Sequence, residues 1–452
     1  PTDLPSAHND TVNATYSSLA AAFQAAQSGQ MITGNDAAYW DISTLDTLGR
    51  SLGLSGSSDI RTPASSILTL GGSSYLAAPA GHAIDLFGQL RIAASSSADL
   101  YADAFTVRSS GALSVRANAS LTIAAPEATV RGPATVEQDA ALTLEGDWHS
   151  AGPVGLLRGS TITVGGSIES DGPWTMSATS RITAGSMIES RAAWTMTDAQ
   201  VAAPLLVNRG DLEALGDCAL VGTYTATVGA RTTVHAGTLY VLGRVISDGE
   251  WLGASSSLDA DDGLSLGQRA SLLMPTPGSR LRTGGSFDCA IDAASRFDVR
   301  QVTVQIDAAG GEAPSAERTF EVMSIDIGAQ EAGLDRTLAG HFPIGTLHIG
   351  PSPTTVRLVD AHDNDGRGVC GCEALYVDTL VIDAGSRLIN PACRVYYTTL
   401  VNNGTVDFPA NLVPFGGVMC SPDFDGDGDQ GTDLDIEAFF ACLGGDCCAT
   451  CG

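Results

Sequence analysis

The chain has 452 residues and a formal net charge of −28, from 51 acidic side chains against 23 basic ones. All 23 are arginine, which excludes Schiff-base and lysine general-base chemistry. An excess of acid this large argues against nucleic acid as a partner, because phosphate binding needs a basic footprint, and equally against an anionic membrane surface. Divalent cations are the natural counter-ions.

A hydrophobic fraction of 44% is too high for a disordered chain, while only 16% of residues are charged and 52 are glycine. Small and β-branched residues between glycines suit short strands joined by sharp turns. Nowhere does an apolar run approach the ~18 residues that a membrane span requires, so no span is expected.

In chain order, residues 10–28 have the first helical spacing. Asn9 or Asp10 is placed to cap it, Val12, Tyr16, Leu19, Ala20 and Phe23 fall on one face, and Gly29 ends it. Such a helix suits either a plug over the first coil of a solenoid or a partner-binding face.

From about 35 to 310, runs such as Leu90-Arg91-Ile92, Phe105-Thr106-Val107 and Leu121-Thr122-Ile123 alternate with glycine, serine, asparagine or aspartate. One repeat is explicit. TITVGGSIESDGPWTM at 161–176 and RITAGSMIESRAAWTM at 181–196 match at an offset of 20, and SDGEW at 247–251 echoes SDGPW at 170–174. That period suits one coil of a parallel β-helix, in which matching residues stack on the next coil at about 4.8 Å. Trp174 and Trp194 are then expected to form an aromatic ladder, the other reading being an exposed platform for sugar rings. Glu169 and Glu189 would also stack, which is unfavourable unless they are solvated or bridged by a cation or arginine. Cys218 and Cys289 are expected to be buried and unpaired. Asp259, Asp261 and Asp262 form an acidic cluster.

A loop insertion is expected around 311–350, after which strand-like runs resume at 355–359, 375–382 and 394–400. Asp360, Asp363, Asn364 and Asp365 before Gly366 read as an ordinary polar loop or as a calcium loop. Eight cysteines follow residue 360: Cys370, Cys372, Cys393, Cys420, Cys442, Cys447, Cys448 and Cys451. An even number clustered in a loop-rich end suggests disulfides and an oxidising compartment. Zinc is the alternative, although Cys370-Gly-Cys372 and Cys447-Cys448 lack the usual two-residue spacing.

The strongest chemical motif is SPDFDGDGDQGTDLDIEAFF, 421–440. Asp423, Asp425 and Asp427 have the 1, 3, 5 spacing of an EF-hand-type loop, with Gly428 at position 6 and the Asp429 carbonyl at position 7. Leu434 occupies position 12, so Asp433 or Asp435 must close the site with a one-residue adjustment. Hard carboxylate oxygens in a tight loop point to Ca²⁺ as the bound ion.

This motif resembles the type I dockerin repeat, and more closely the dockerin-like tails of large secreted proteins of planctomycete-type bacteria. The segment 374–406, ALYVDTLVIDAGSRLINPACRVYYTTLVNNGTV, is similar to the last β-helix coils before such tails. The resemblance covers roughly 360–452. A single loop, where a dockerin has a pair, argues against cohesin binding.

The expected architecture is therefore all-β. A right-handed parallel β-helix (β-solenoid) over 35–415 follows an N-terminal capping helix region, 1–34. A Cys-rich, dockerin-like calcium-loop module, 416–452, follows it. The favoured function is an extracellular structural protein of a bacterial surface. It would be a fibre or matrix subunit that self-associates through its solenoid ends, stabilised by calcium and disulfides. Other readings are a polysaccharide-active lyase or glycoside hydrolase, for which Asp261, Asp262 and His235 are the candidates, and a glycan-binding adhesin using the Trp face. Both make an extracellular polysaccharide the partner.

Overall fold

Strand after strand buries alternate residues. In Ala141–Leu144, Thr161–Val164 and Arg181–Ala184 the second and fourth side chains point inward and the first and third outward, as a period of two requires. The inward residues align in parallel register, Leu142 on Ile162 on Ile182, each at most 1% exposed. The computed structural model describes residues 7–16, 19–34, 44–47, 50–56, 59–309, 316–366 and 373–415. It is almost entirely β, a β-solenoid of about 17 turns around one continuous apolar core.

Each regular coil has three short strands. Thr161–Val164, Ile168–Ser170 and Trp174–Met176 pair with Arg181–Ala184, Met187–Ser190 and Trp194–Thr197 of the next coil. The coil length varies along the rod. Ser97 aligns with Ser120, 23 residues on; Ile162 aligns with Ile182, 20 on; Leu205 aligns with Thr223, 18 on. The explicit repeat therefore reveals only the stretch where successive coils have equal length.

Stacking sets the residue types at the corners. A Cβ added to Gly152 would lie 2.1 Å from the Gly132 carbonyl oxygen, and one on Gly172 would lie 2.2 Å from that of Gly152. Backbone cannot yield at such contacts, so this corner is a glycine column. Beside it run Ser150, Ser170 and Ser190, also in register. Ser150 Oγ accepts from Trp174 Nε1 at 2.8 Å, and Ser170 Oγ accepts from Trp194 Nε1 at 3.3 Å. Ser170 donates to the Gly172 carbonyl at 2.8 Å. At 170–174 Ser-x-Gly-x-Trp is thus a corner device, in which Ser170 satisfies the indole above and ties its own turn; in the second copy, 247–251, the Trp251 indole nitrogen is buried without a partner.

At the N-terminal end the expected helix is mostly something else. Among the described residues there, only Leu19–Ala25 is helical, and Ala14–Tyr16 is a strand antiparallel to Ala7–Asn9, which also pairs antiparallel with Met31–Gly34. The reason lies in the turn after Asn9, where Asn13 takes a left-handed φ of 51° that no helix continues through. The Asn9 side-chain oxygen does accept from the Thr11 and Val12 amides, 3.2 and 3.3 Å, as a cap would, but the chain reverses at Asn13 into the strand Ala14–Tyr16. Val12, expected on the apolar face, is 52% exposed, whereas Ala22 and Phe23 are buried. Met31–Gly34 already pairs in parallel with Gly53–Gly56, so the coil stack starts before residue 35.

The insertion is also narrower than expected. Glu317–Glu321 and Ile344–Ile349 both belong to the parallel stack. The excursion between them docks on a small second core around Tyr376 and Tyr396. Tyr376 Oη accepts from the Ile327 amide at 2.9 Å and donates to the Gly328 carbonyl at 3.0 Å. Among the described residues no helix is long and apolar enough to cross a membrane.

Two glycines three residues apart should respond oppositely to alanine. Gly152→Ala is expected to cost about 2 kcal/mol or more, because a backbone oxygen must move. Gly155→Ala, with nothing within 4 Å of the new Cβ, should be neutral or slightly stabilising. Denaturant midpoints of the two variants against the parent chain make the comparison; equal midpoints would refute the glycine column.

Candidate metal centre

Most conspicuous side chains in this rod are engaged by the stack. The Trp174 and Trp194 rings stack at 4.9 Å and 13° and are 1% and 4% exposed. They face the core, so no sugar ring can lie on them. Phe287 stacks on Phe320 and Tyr376 on Tyr396, each at 4.8 Å. Glu169 and Glu189 do align, and arginine bridges them: Arg191 lies 3.5 Å from Glu169 and 2.9 Å from Glu189, and Arg209 adds a contact of 2.6 Å to Glu189.

The hydrolase candidates do not converge. His235 pairs with Glu213 at 3.1 Å and Asp261 with Arg282 at 3.1 Å. His235 lies beside Ala254 and Val241 beside Ala260, so the corner at Ala236 and Gly237, both at positive φ, falls between His235 and Asp261. Asp262 is exposed. The acidic cluster at 259–262 is closed by Arg282, which contacts Asp259, Asp261 and, at 3.6 Å, Asp307.

Cys218 and Cys289 are free and buried. Burial pushes the Cys289 thiol up to about 12 and raises that of Cys218, so both are poor nucleophiles. Cys393 is buried at 5% exposure. The remaining late cysteines, Cys370, Cys372, Cys420, Cys442, Cys447, Cys448 and Cys451, lie outside the described residues. So do all six aspartates of the calcium motif, Asp423 to Asp435.

One cluster is not explained by stacking. Glu321 ends the strand Glu317–Glu321, whose partner is Thr355–Val359, so Asp360 follows directly beyond the residue opposite Glu321. Glu373 begins the next strand and pairs with Ile325 at the root of the excursion. Candidate ligand atoms of Glu321, Asp360 and Glu373 all lie within 4.8 Å of one another. Two flanking triads have the same closeness, Asp288 with Glu321 and His362, and Asp363 with Asp365 and Glu373.

Backbone donors fix the two glutamates. Glu321 Oε1 accepts from the Ala361 and His362 amides at 2.7 and 2.8 Å. Glu373 Oε1 accepts from the Asn364 and Asp365 amides at 2.6 and 2.9 Å. Asn364 holds that loop down by donating to the Cys289 and Ile291 carbonyls at 2.9 and 2.8 Å. His362 Nε2 meets Asp288 Oδ1 at 2.7 Å. Glu373 Oε2 is buried and has no hydrogen-bond partner, and the same holds for Asn364 Oδ1.

Burial dominates the electrostatics. It pushes the Glu321 carboxyl up to about 7 and that of Glu373 up to about 8, and it raises Asp360. The backbone bonds oppose the shift without cancelling it, and the neighbouring carboxylates reinforce it. Of this group, the sequence pattern marks Asp360, Asp363, Asn364 and Asp365, which share one loop. Glu321, Glu373, Asp288 and His362 escape it, because they stand on other coils or outside the aspartate spacing. The available signal was a glutamate bordering an otherwise apolar strand in EALYV, 373–377.

No protein-family model, curated protein or solved structure matches this chain.

Two outcomes follow from these charges. The unfolded chain releases the Glu321 and Glu373 protons near their ordinary value of 4.5, and the folded chain near 7 and 8. Their contribution to stability is full below that ordinary value and is lost as pH rises through 7 and 8. In excess chelator, the thermal midpoint should therefore fall between about pH 5 and about pH 8.5; a flat or rising profile would contradict it. Arg282→Met should cost roughly 3–5 kcal/mol, because it strands the buried Asp307 carboxylate without a counter-charge and leaves Asp259 only the contact with Arg280 at 3.5 Å. Chemical denaturation at neutral pH measures that loss.

Proposed function

We propose that this protein is an extracellular structural component of a bacterial surface, a fibre or matrix subunit that self-associates through its solenoid ends. The observation that carries this reading is how the side chains are used. The stacked tryptophans are in the core, and most of the buried acids are neutralised by arginine. The cavity lined by Trp194, Asn208 and Tyr224 holds only about 30 Å³, roughly a water or two. A rod of this kind presents its specific features along its length and at its ends.

The helix Leu19–Ala25 serves as part of an N-terminal end cap in this reading. Arg50 supports it by donating to the Phe23 carbonyl at 2.9 Å and to that of Ala26, fastening the helix end to the coil beneath. The dockerin-like tail is a calcium-loaded, disulfide-tied module outside the reducing cytoplasm. Calcium is the cofactor, held by Asp423, Asp425, Asp427 and Asp429 with Asp433 or Asp435.

Electron microscopy of the purified protein over a range of concentrations, with calcium and with chelator, tests the proposal. Filaments or sheets that chelation dissolves are the expected result. Dispersed single particles under every condition would overturn it.

A further inference from the structure

We propose that Glu321, Asp360 and Glu373 bind one calcium ion inside the body of the solenoid, independently of the aspartate motif at 423–435. The first support is a charge count. Among the described residues seven acidic side chains are buried: Asp85, Glu189, Asp259, Asp298, Asp307, Glu321 and Glu373. Five have arginine partners: Asp85 with Arg108, Glu189 with Arg191 and Arg209, Asp259 with Arg282, Asp298 with Arg336, and Asp307 with Arg282. Glu321 and Glu373 have none, yet they are the two most deeply buried, at 1% and 2% exposure. This chain neutralises buried carboxylates consistently, and here the neutralising charge is not an arginine.

The second support is the unsatisfied oxygen. Glu373 Oε2 is buried without a partner, while Oε1 of the same carboxylate is held by two backbone amides. An ion in the cluster would satisfy that oxygen. Ligands on opposite sides of Ca²⁺ stand roughly 4.6–5.2 Å apart, given bond lengths of about 2.3–2.6 Å. The 4.8 Å limit on the three carboxylates fits that span. An all-oxygen, trianionic set suits a hard cation, and calcium tolerates the irregular geometry that three separate strand ends impose.

The ion would join three points at which the chain leaves or rejoins the stack. These are the end of Glu317–Glu321, the residue after Thr355–Val359 and the start of Glu373–Ile382. Its role is that of a rivet between the coils and the excursion docked on them.

The test uses the full chain with the tail motif disabled by Asp423→Ala, Asp425→Ala and Asp427→Ala together. Calorimetric titration of this metal-stripped protein with CaCl₂ at neutral pH should show one remaining equivalent. Adding Glu373→Gln, which keeps the side chain's shape, should abolish it, and adding Asp360→Asn should weaken it tenfold or more. Calcium should raise the thermal midpoint of the tail-disabled chain and not that of its Glu373→Gln form, with circular dichroism reporting that both are folded. A tail-disabled chain that binds no calcium overturns the proposal. So does an equivalent that survives both Glu373→Gln and Asp360→Asn. If Glu373→Gln fails to fold, Asp360→Asn decides, since Asp360 is exposed at the loop. None of these readouts depends on filament formation.

Discussion

Stacked coils put each residue about 4.8 Å from its counterpart in the next turn, and the composition of this chain follows from that distance. Aromatic rings tolerate it when they lie parallel, as Trp174 and Trp194 do. Aliphatic side chains form inward columns such as Leu142, Ile162 and Ile182. At tight corners the carbonyl of one turn occupies the Cβ position of the next, which leaves glycine at 132, 152 and 172. Ser150 and Ser170 beside that column answer the indole nitrogens of Trp174 and Trp194, which would otherwise be buried without an acceptor.

The same distance makes like charges costly, because identical residues come into register. Glu169 over Glu189 is tolerable since Arg191 reaches both. Arginine is well suited to bridging them, since its planar fork spans two carboxylates on adjacent coils and stays charged when partly buried. Arg282 does the same for Asp259, Asp261 and Asp307. A chain with no lysine and 51 acids has used arginine as its cross-coil clamp. The group at Glu321, Asp360 and Glu373 stands apart for that reason. It lies where the coil geometry is interrupted, and among the described residues no arginine pairs with Glu321 or Glu373; on the same pair of strands Arg357 is engaged by Glu317 instead.

The 20-residue repeat, the β/glycine rhythm and the Trp pair could be read from the sequence, because stacking writes its period directly into residue spacing. Coil lengths of 23 and 18 hid the period elsewhere, although alternation within each strand still showed the strands. The N-terminal segment misled because Val12, Tyr16, Leu19 and Phe23 have helical spacing, while the turn after Asn9 and pairing with Met31–Gly34 set the local structure.

What the sequence alone determined was therefore the local and periodic part: strand character, the coil repeat, the glycine corners and the aspartate-rich tail motif, all encoded within a few tens of residues. Tertiary structure alone decided which acids meet which arginines, how the excursion docks on Tyr376 and Tyr396, and that Glu321 meets Glu373, which lies 52 positions further along the chain. The physical reason is that charge neutralisation and ligand geometry depend on distance in space. In a solenoid with variable coil length and excursions, that distance cannot be counted along the chain.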